Sequence, residues 1–255
     1  MKNNTIYLYN DTFVSLLSLI KILLKEHIVP QNIKGSYYQP SLLEETILLK
    51  ISDDEKVLEE IIKVVGNNIF NTIYYVFCSN DLNKEIIIYC FLVQSLKYKN
   101  KIFYMRNLNG VASALRISQY VSRENHKMKG FLRFKELSNN ILYAEMSPEN
   151  DILFLLSRHF QARLRNEYWI IKDVKRNILS IYDKKNFYLV SADNFTLITS
   201  ELSNEEKDTE SLWKSFYKTI GIKERKNERC QRNFMPKKYW KYIIEVSEEN
   251  EESSK

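Results

Sequence analysis

Residues 168–191 read Tyr168-Trp169-Ile170-Ile171-Lys172-Asp173-Val174-Lys175-Arg176-Asn177-Ile178-Leu179-Ser180-Ile181-Tyr182-Asp183-Lys184-Lys185-Asn186-Phe187-Tyr188-Leu189-Val190-Ser191. Three runs of aromatic and β-branched residues, Tyr168–Asp173, Ile178–Tyr182 and Phe187–Ser191, are separated by short polar turns. Such runs mark strands, and turns this brief bring neighbouring strands back antiparallel. Period two puts Trp169, Ile171 and Asp173 on one face of the first strand. Upstream, Phe131–Leu137 and Ile141–Met146 flank Ser138-Asn139-Asn140, which has the composition of a hairpin turn. A helix from Pro148 to about Leu164 separates that hairpin from the three strands.

The first half has a different period. Phe13, Leu16, Leu17, Ile20, Leu23 and Leu24 recur at helical spacing behind Asp11, read as an N-cap, after a strand at Thr5–Tyr9. A linker with Pro30, Gly35 and Pro40 leads to a strand at Thr46–Ile51, and Ser52 with Glu55 forms a capping box. Helices follow at Asn68–Cys78, Leu82–Lys99 and Asn109–Met128, the last closed by Gly130. Glu205–Ile220 and a segment opened by Pro236 are further helices. The expected class is α+β: a helical first half, then an antiparallel sheet with flanking helices. One domain over 1–245 is expected, with a helical lobe 1–108, a nucleic-acid-binding lobe 109–245 and an acidic tail 246–255.

Only five glycines and four prolines in 255 residues disfavour propeller and many-turned β architectures. Cys78, Cys90 and Cys230 leave one unpaired and show no C-x-x-C spacing, so neither a disulfide framework nor a metal site is expected. The longest apolar stretch, Ile86–Val93, falls short of the roughly 18 residues of a membrane span. No membrane partner and a cytoplasmic location are expected. Nucleotide-cradle and zinc-protease motifs are absent, and no cofactor is implied.

The net charge of +6 is unevenly spread: residues 245–255 carry five Glu against one Lys, or −4, leaving +10 on the rest. A body this basic suits a polyanion such as DNA. Its densest segment runs from Ser122 to Lys135. Arg116, Tyr120, Arg123 and Lys127 lie four, three and four apart, sharing one helix face. Phe131, Arg133 and Lys135, read as one side of a strand, would set an aromatic ring among cations, a surface that stacks bases and holds phosphates. A second cluster holds Arg225, Arg229 and Arg232, one stripe if helical, followed by Lys237 and Lys238 among aromatics. Between 223 and 241 eight basic residues face two acidic ones. Arginine suits bidentate phosphate contact. Asp173, on an apolar face, is an edge residue, the partner of Arg133 or Arg176, or a catalytic acid or base. His126 is a general base or a helix-terminal residue bonded to backbone, with Glu145 a third candidate.

His126-x-Met128-x-Gly130-Phe131-x-Arg133-Phe134, Trp169-x-Ile171-x-Asp173, and the segment from Glu224-Arg225-Lys226-Asn227 to Phe234-Met235-Pro236-Lys237-Lys238-Tyr239-Trp240 resemble the motifs of a bacterial family of SAM-associated DNA metabolism and repair proteins. The resemblance spans nearly the whole chain. It implies a setting of DNA repair or modification with a separately encoded radical-SAM partner; elsewhere the domain is fused to a uracil-DNA-glycosylase-like domain. The expected function is therefore a DNA-binding accessory protein of a radical-SAM-linked system. Two alternatives stay open: an enzyme acting directly on DNA through His126 and Asp173, or a protein-interaction module without nucleic-acid contact.

Overall fold

The structure, a computed structural model, describes residues 4–42, 44–49, 54–193, 202–220 and 222–246. The chain divides into two compact units, Met1–Ser122 and Arg123–Lys255.

The first unit opens with strand β1 (Asn4–Tyr9), helix α1 (Phe13–Lys25), and strands β2 (Asn32–Gly35) and β3 (Glu44–Leu48). Both later strands pair parallel to β1, giving the order β2-β1-β3. Helices α2 (Lys56–Val65), α3 (Asn67–Phe77) and α4 (Lys84–Tyr98) follow, then a 3-10 turn at Lys99–Tyr104 and helix α5 (Val111–Phe131). The unit division falls inside α5. The expected linker around Gly35 is thus a strand, because its backbone satisfies itself on the edge of β1, a contact invisible in a short Pro- and Gly-bounded run. Thr12, not Asp11, caps α1: its hydroxyl accepts from the Ser15 amide at 3.0 Å. Asp11 turns away at φ +55° and accepts from the Ser36 amide at 3.0 Å. Ser52 of the expected capping box lies outside the described residues.

The second unit carries β4 (Lys135–Glu136), β5 (Ile141–Met146), helix α6 (Leu153–Arg163), β6 (Tyr168–Asp173), β7 (Ile178–Tyr182) and β8 (Phe187–Ser191). These form one sheet in the order β4-β5-β6-β7-β8. The class is α+β, but the sheet is mixed rather than antiparallel. β5 and β6 run parallel, Ala144 beside Ile171, because α6 carries the chain back between them. β6, β7 and β8 form the antiparallel meander read from the sequence, with Asn177 and Lys184 at positive φ in its turns.

One sheet face holds buried Trp169, Ile171, Asp173, Ser180 and Tyr182, with Trp169 stacked on Tyr182 at 5.0 Å. α6 meets this face: Ser157 and Ser180 share a buried hydrogen bond of 2.7 Å. The other face gathers Leu137, Tyr143, Ile170, Leu179 and Ala192. Helices α7 (Asn204–Ile220) and α8 (Glu228–Phe234) follow, with 3-10 turns at Lys223–Arg225 and Lys237–Tyr242.

Candidate nucleic-acid interface

A buried carboxylate organises the C-terminal part of the second unit. Glu124, on α5, accepts from the amides of Glu149 (2.8 Å) and Asn150 (3.0 Å), the Asn150 side chain (2.6 Å) and the Tyr239 hydroxyl (2.6 Å). Four donors on one carboxylate tie the segment before α6 and the 3-10 turn after α8 to a single helix. Tyr239 and Trp240 are buried, so the aromatics of the last motif are packing residues. Trp240 donates its indole N–H to the Met235 carbonyl at 2.8 Å.

The first basic cluster is largely engaged with the fold. α5 does not close at Gly130 but runs through it to Phe131, and the Leu132 amide still reaches the Met128 carbonyl at 3.0 Å. A glycine inside a helix costs about 1 kcal/mol; burial of Met128 and Leu132 on either side offsets it. Phe131 therefore ends a helix instead of lying on a strand, and its ring sits 5.8 Å from that of Tyr239. The expected strand Phe131–Leu137 shrinks to the two residues of β4. Arg133 is held by Glu245 through its Nη2 (2.7 Å) and Nε (3.1 Å), and also donates to the Gly130 carbonyl at 2.6 Å. Lys135 pairs with Glu210 at 2.6 Å. Lys127 reaches the Asn233 carbonyl at 3.4 Å. Burial works to raise the Glu245 carboxyl, but hydrogen bonds from Arg133, its own backbone and Trp213 outweigh it and hold the group below the ordinary carboxylate range.

The second cluster differs. Arg225 lies in the 3-10 turn and Asn227 caps α8, accepting from the Cys230 amide at 2.9 Å, so the expected three-arginine stripe is broken. Arg229 and Arg232 remain on α8. Arg232 meets Glu228 at 2.8 Å, both exposed, and Lys238 pairs with Glu149. Lys237 lies over the Trp240 ring at 5.6 Å. Arg225, Lys226 and Arg229 are exposed and make no ion pair or side-chain hydrogen bond among the described residues. Arg123 and Arg116, along α5, are exposed in the same condition. Phe234, at the end of α8, is 73% exposed. The sequence reading passed over it as one aromatic among several. Nothing in the sequence sets it apart from Tyr239 and Trp240, which are buried.

Asp173 is fully buried and filled. Its Oδ1 accepts from the amides of Lys175 (3.0 Å) and Arg176 (3.2 Å), and its Oδ2 from Arg176 Nη1 (2.9 Å). Arg176 also donates to the carbonyls of Pro148 and Glu149, at 3.3 Å and 2.6 Å. The pairing with Arg176, rather than Arg133, is the one formed. His126 stands exposed within α5, not at its terminus, and its side chain makes no hydrogen bond among the described residues. Glu145 accepts from the Tyr143 hydroxyl at 2.6 Å, and that phenol is pushed well up by burial and by Glu145.

These features define an α+β protein whose C-terminal segment, docked through Tyr239 on Glu124, exposes arginines that have no partner among the described residues. The family described as a domain of unknown function, DUF4130, matches residues 82–245, and the chain belongs to that family. The matched stretch contains Glu124, Arg133, Asp173 and the whole second basic cluster. Neither a curated protein nor a solved structure matches the chain.

Proposed function

We propose that the chain is a DNA-binding accessory protein, with Arg225, Lys226 and Arg229 as its principal phosphate contacts. The observation that carries this reading is that these three cations are exposed and have no partner among the described residues, while most of their neighbours are engaged. An unpaired guanidinium reaches a phosphate without first surrendering a carboxylate. Arg123, Arg232, Lys237 and Lys238 extend the surface, the last three after exchanging or keeping weak surface partners. Phe234 supplies an exposed ring for stacking on an unpaired base. Arg116, Lys127, Phe131, Arg133 and Lys135 are weaker contacts in this reading, since four of those five side chains are engaged elsewhere or packed.

The family resemblance in the motifs adds the setting: DNA repair or modification in the cytoplasm, with a separately encoded radical-SAM protein supplying the chemistry. The enzymatic alternative through Asp173 finds less support, because a carboxylate whose oxygens hold three donors is committed to the turn at Lys175–Asn177.

Gel retardation across a salt series tests the reading. Neutralising about five phosphates gives a slope of log affinity against log salt near −4 to −5. A salt-independent affinity, or no retardation at low salt, refutes it. Co-purification with the radical-SAM partner, with and without DNA, tests the accessory role separately.

A further inference from the structure

A cleft of about 450 Å³ in the first unit is lined by Asp11, Lys34, Tyr37, Tyr38, Lys84 and Glu85, among others. It opens just beyond the ends of the parallel strands β1 and β2, the position at which parallel sheets most often receive ligands. Its size falls in the range of roughly 300–1,000 Å³ typical of small-molecule sites. Gly35 lets the walls come together: a Cβ there would stand 1.7 Å from Asp11 Oδ1.

Glu85 is the unusual member. It is 93% buried, being 7% exposed, yet its only hydrogen-bond donors among the described residues are the Tyr9 hydroxyl at 3.2 Å and its own backbone. A carboxylate has about four acceptor sites, and a buried one with sites unfilled is costly. The two nearby lysines do not fill them. Lys84 donates to the carbonyls of Phe77 (2.9 Å) and Ser79 (3.3 Å), and Lys34 to that of Leu82. Burial accordingly raises the Glu85 carboxyl despite both lysine charges, and the Tyr9 phenol is pushed up by burial, by Glu85 and by Asp11. The charges of Asp11 and Glu85 thus converge on one hydroxyl.

Glu85 lines the cleft, so its remaining acceptor capacity faces whatever enters there, water or a ligand that donates. An anion is disfavoured, since the free capacity is acceptor capacity and the ammonium groups are already turned to carbonyls. A metal is disfavoured because no cluster of His, Cys, Asp or Glu among the described residues is arranged to hold one. The mouth carries aromatic rings, Tyr37 (90% exposed) and Tyr38, suited to a flat body. We propose that this cleft binds a small planar ligand with an amidine-type edge, two N–H groups on one carbon, as guanine and guanidinium groups present. Glu85 accepts that edge, as carboxylates pair with such forks elsewhere, and Tyr37 covers the plane. This site is independent of the DNA reading and needs no DNA in its test.

Isothermal titration of the full chain with guanosine and with agmatine distinguishes the two sources of this edge. At least one should bind saturably at or below about 1 mM, and Glu85→Gln should weaken it about tenfold or more. Tyr37→Ala, at an exposed position that leaves the fold intact, should weaken it severalfold. If guanosine is the binder, inosine, lacking the 2-amino group, should bind at least about tenfold more weakly. If neither probe binds, or if binding survives both substitutions unchanged, the proposal fails.

Discussion

The two basic clusters look alike in sequence and differ in the fold. Around residues 127–135, Arg133, Lys135 and Lys127 each have a partner, two of them carboxylates brought from 75 or more residues away along the chain. Around residues 225–229, three exposed cations have none among the described residues. Local charge density is a property of sequence, whereas whether a charge is already neutralised is a property of packing. The first cluster acts as a clasp for the C-terminal segment and the second as a surface.

That distinction can be broken most forcefully at Glu124. Its replacement by Ala would strand four donors, two of them backbone amides, and should cost about 4 kcal/mol in chemical denaturation. Next comes Arg133→Ala, which leaves the nearly buried Glu245 carboxylate unpaired and should cost about 2 kcal/mol. Because the Glu245 carboxyl is held below its ordinary range, it stabilises the folded state above its unfolded pKa. That contribution is lost as pH falls through the folded value. Stability measured on the acid side should therefore decline more gently in Glu245→Gln than in the parent. A clasp that could be removed without loss of stability would erase the comparison.

The second cluster should respond in the opposite sense. Arg225→Ala with Arg229→Ala should leave the denaturation midpoint in place and make the salt slope of DNA binding shallower by about two. Phe234→Ala should weaken binding to single-stranded DNA with little change of slope, since stacking releases few counterions. The smallest effect belongs to the acidic residues 247–255, which lie outside the described residues. Their deletion should tighten DNA binding by about twofold, measured at low salt, because it removes negative charge that repels DNA.

Much of the second-unit sheet was legible because its causes are local. Asn177 and Lys184 sit in tight turns between runs that alternate apolar residues, so β6, β7 and β8 have the bounds their sequence suggests. β2 was hidden, since four residues between Pro30 and Pro40 become a strand only where β1 offers a parallel edge. The parallel pairing of β5 with β6 was hidden for the same reason. The cleft at Glu85 had no signature at all: one Glu in an apolar helical run reads as an exposed face until Tyr9 is folded over it.

By itself the sequence determined the α+β class, the antiparallel meander, the helical periodicity of the first half and the two concentrations of positive charge. These follow from propensity, periodicity and turn chemistry, which act over a few residues. The tertiary structure alone decided which cations are spent and which have no partner among the described residues, that Asp173 belongs to Arg176, and that Glu85 is folded under Tyr9 at the wall of a cleft. Hydrogen bonds and ion pairs between residues far apart in the chain exist only once hydrophobic packing has fixed the positions of their elements. No count of charges along the chain carries that information.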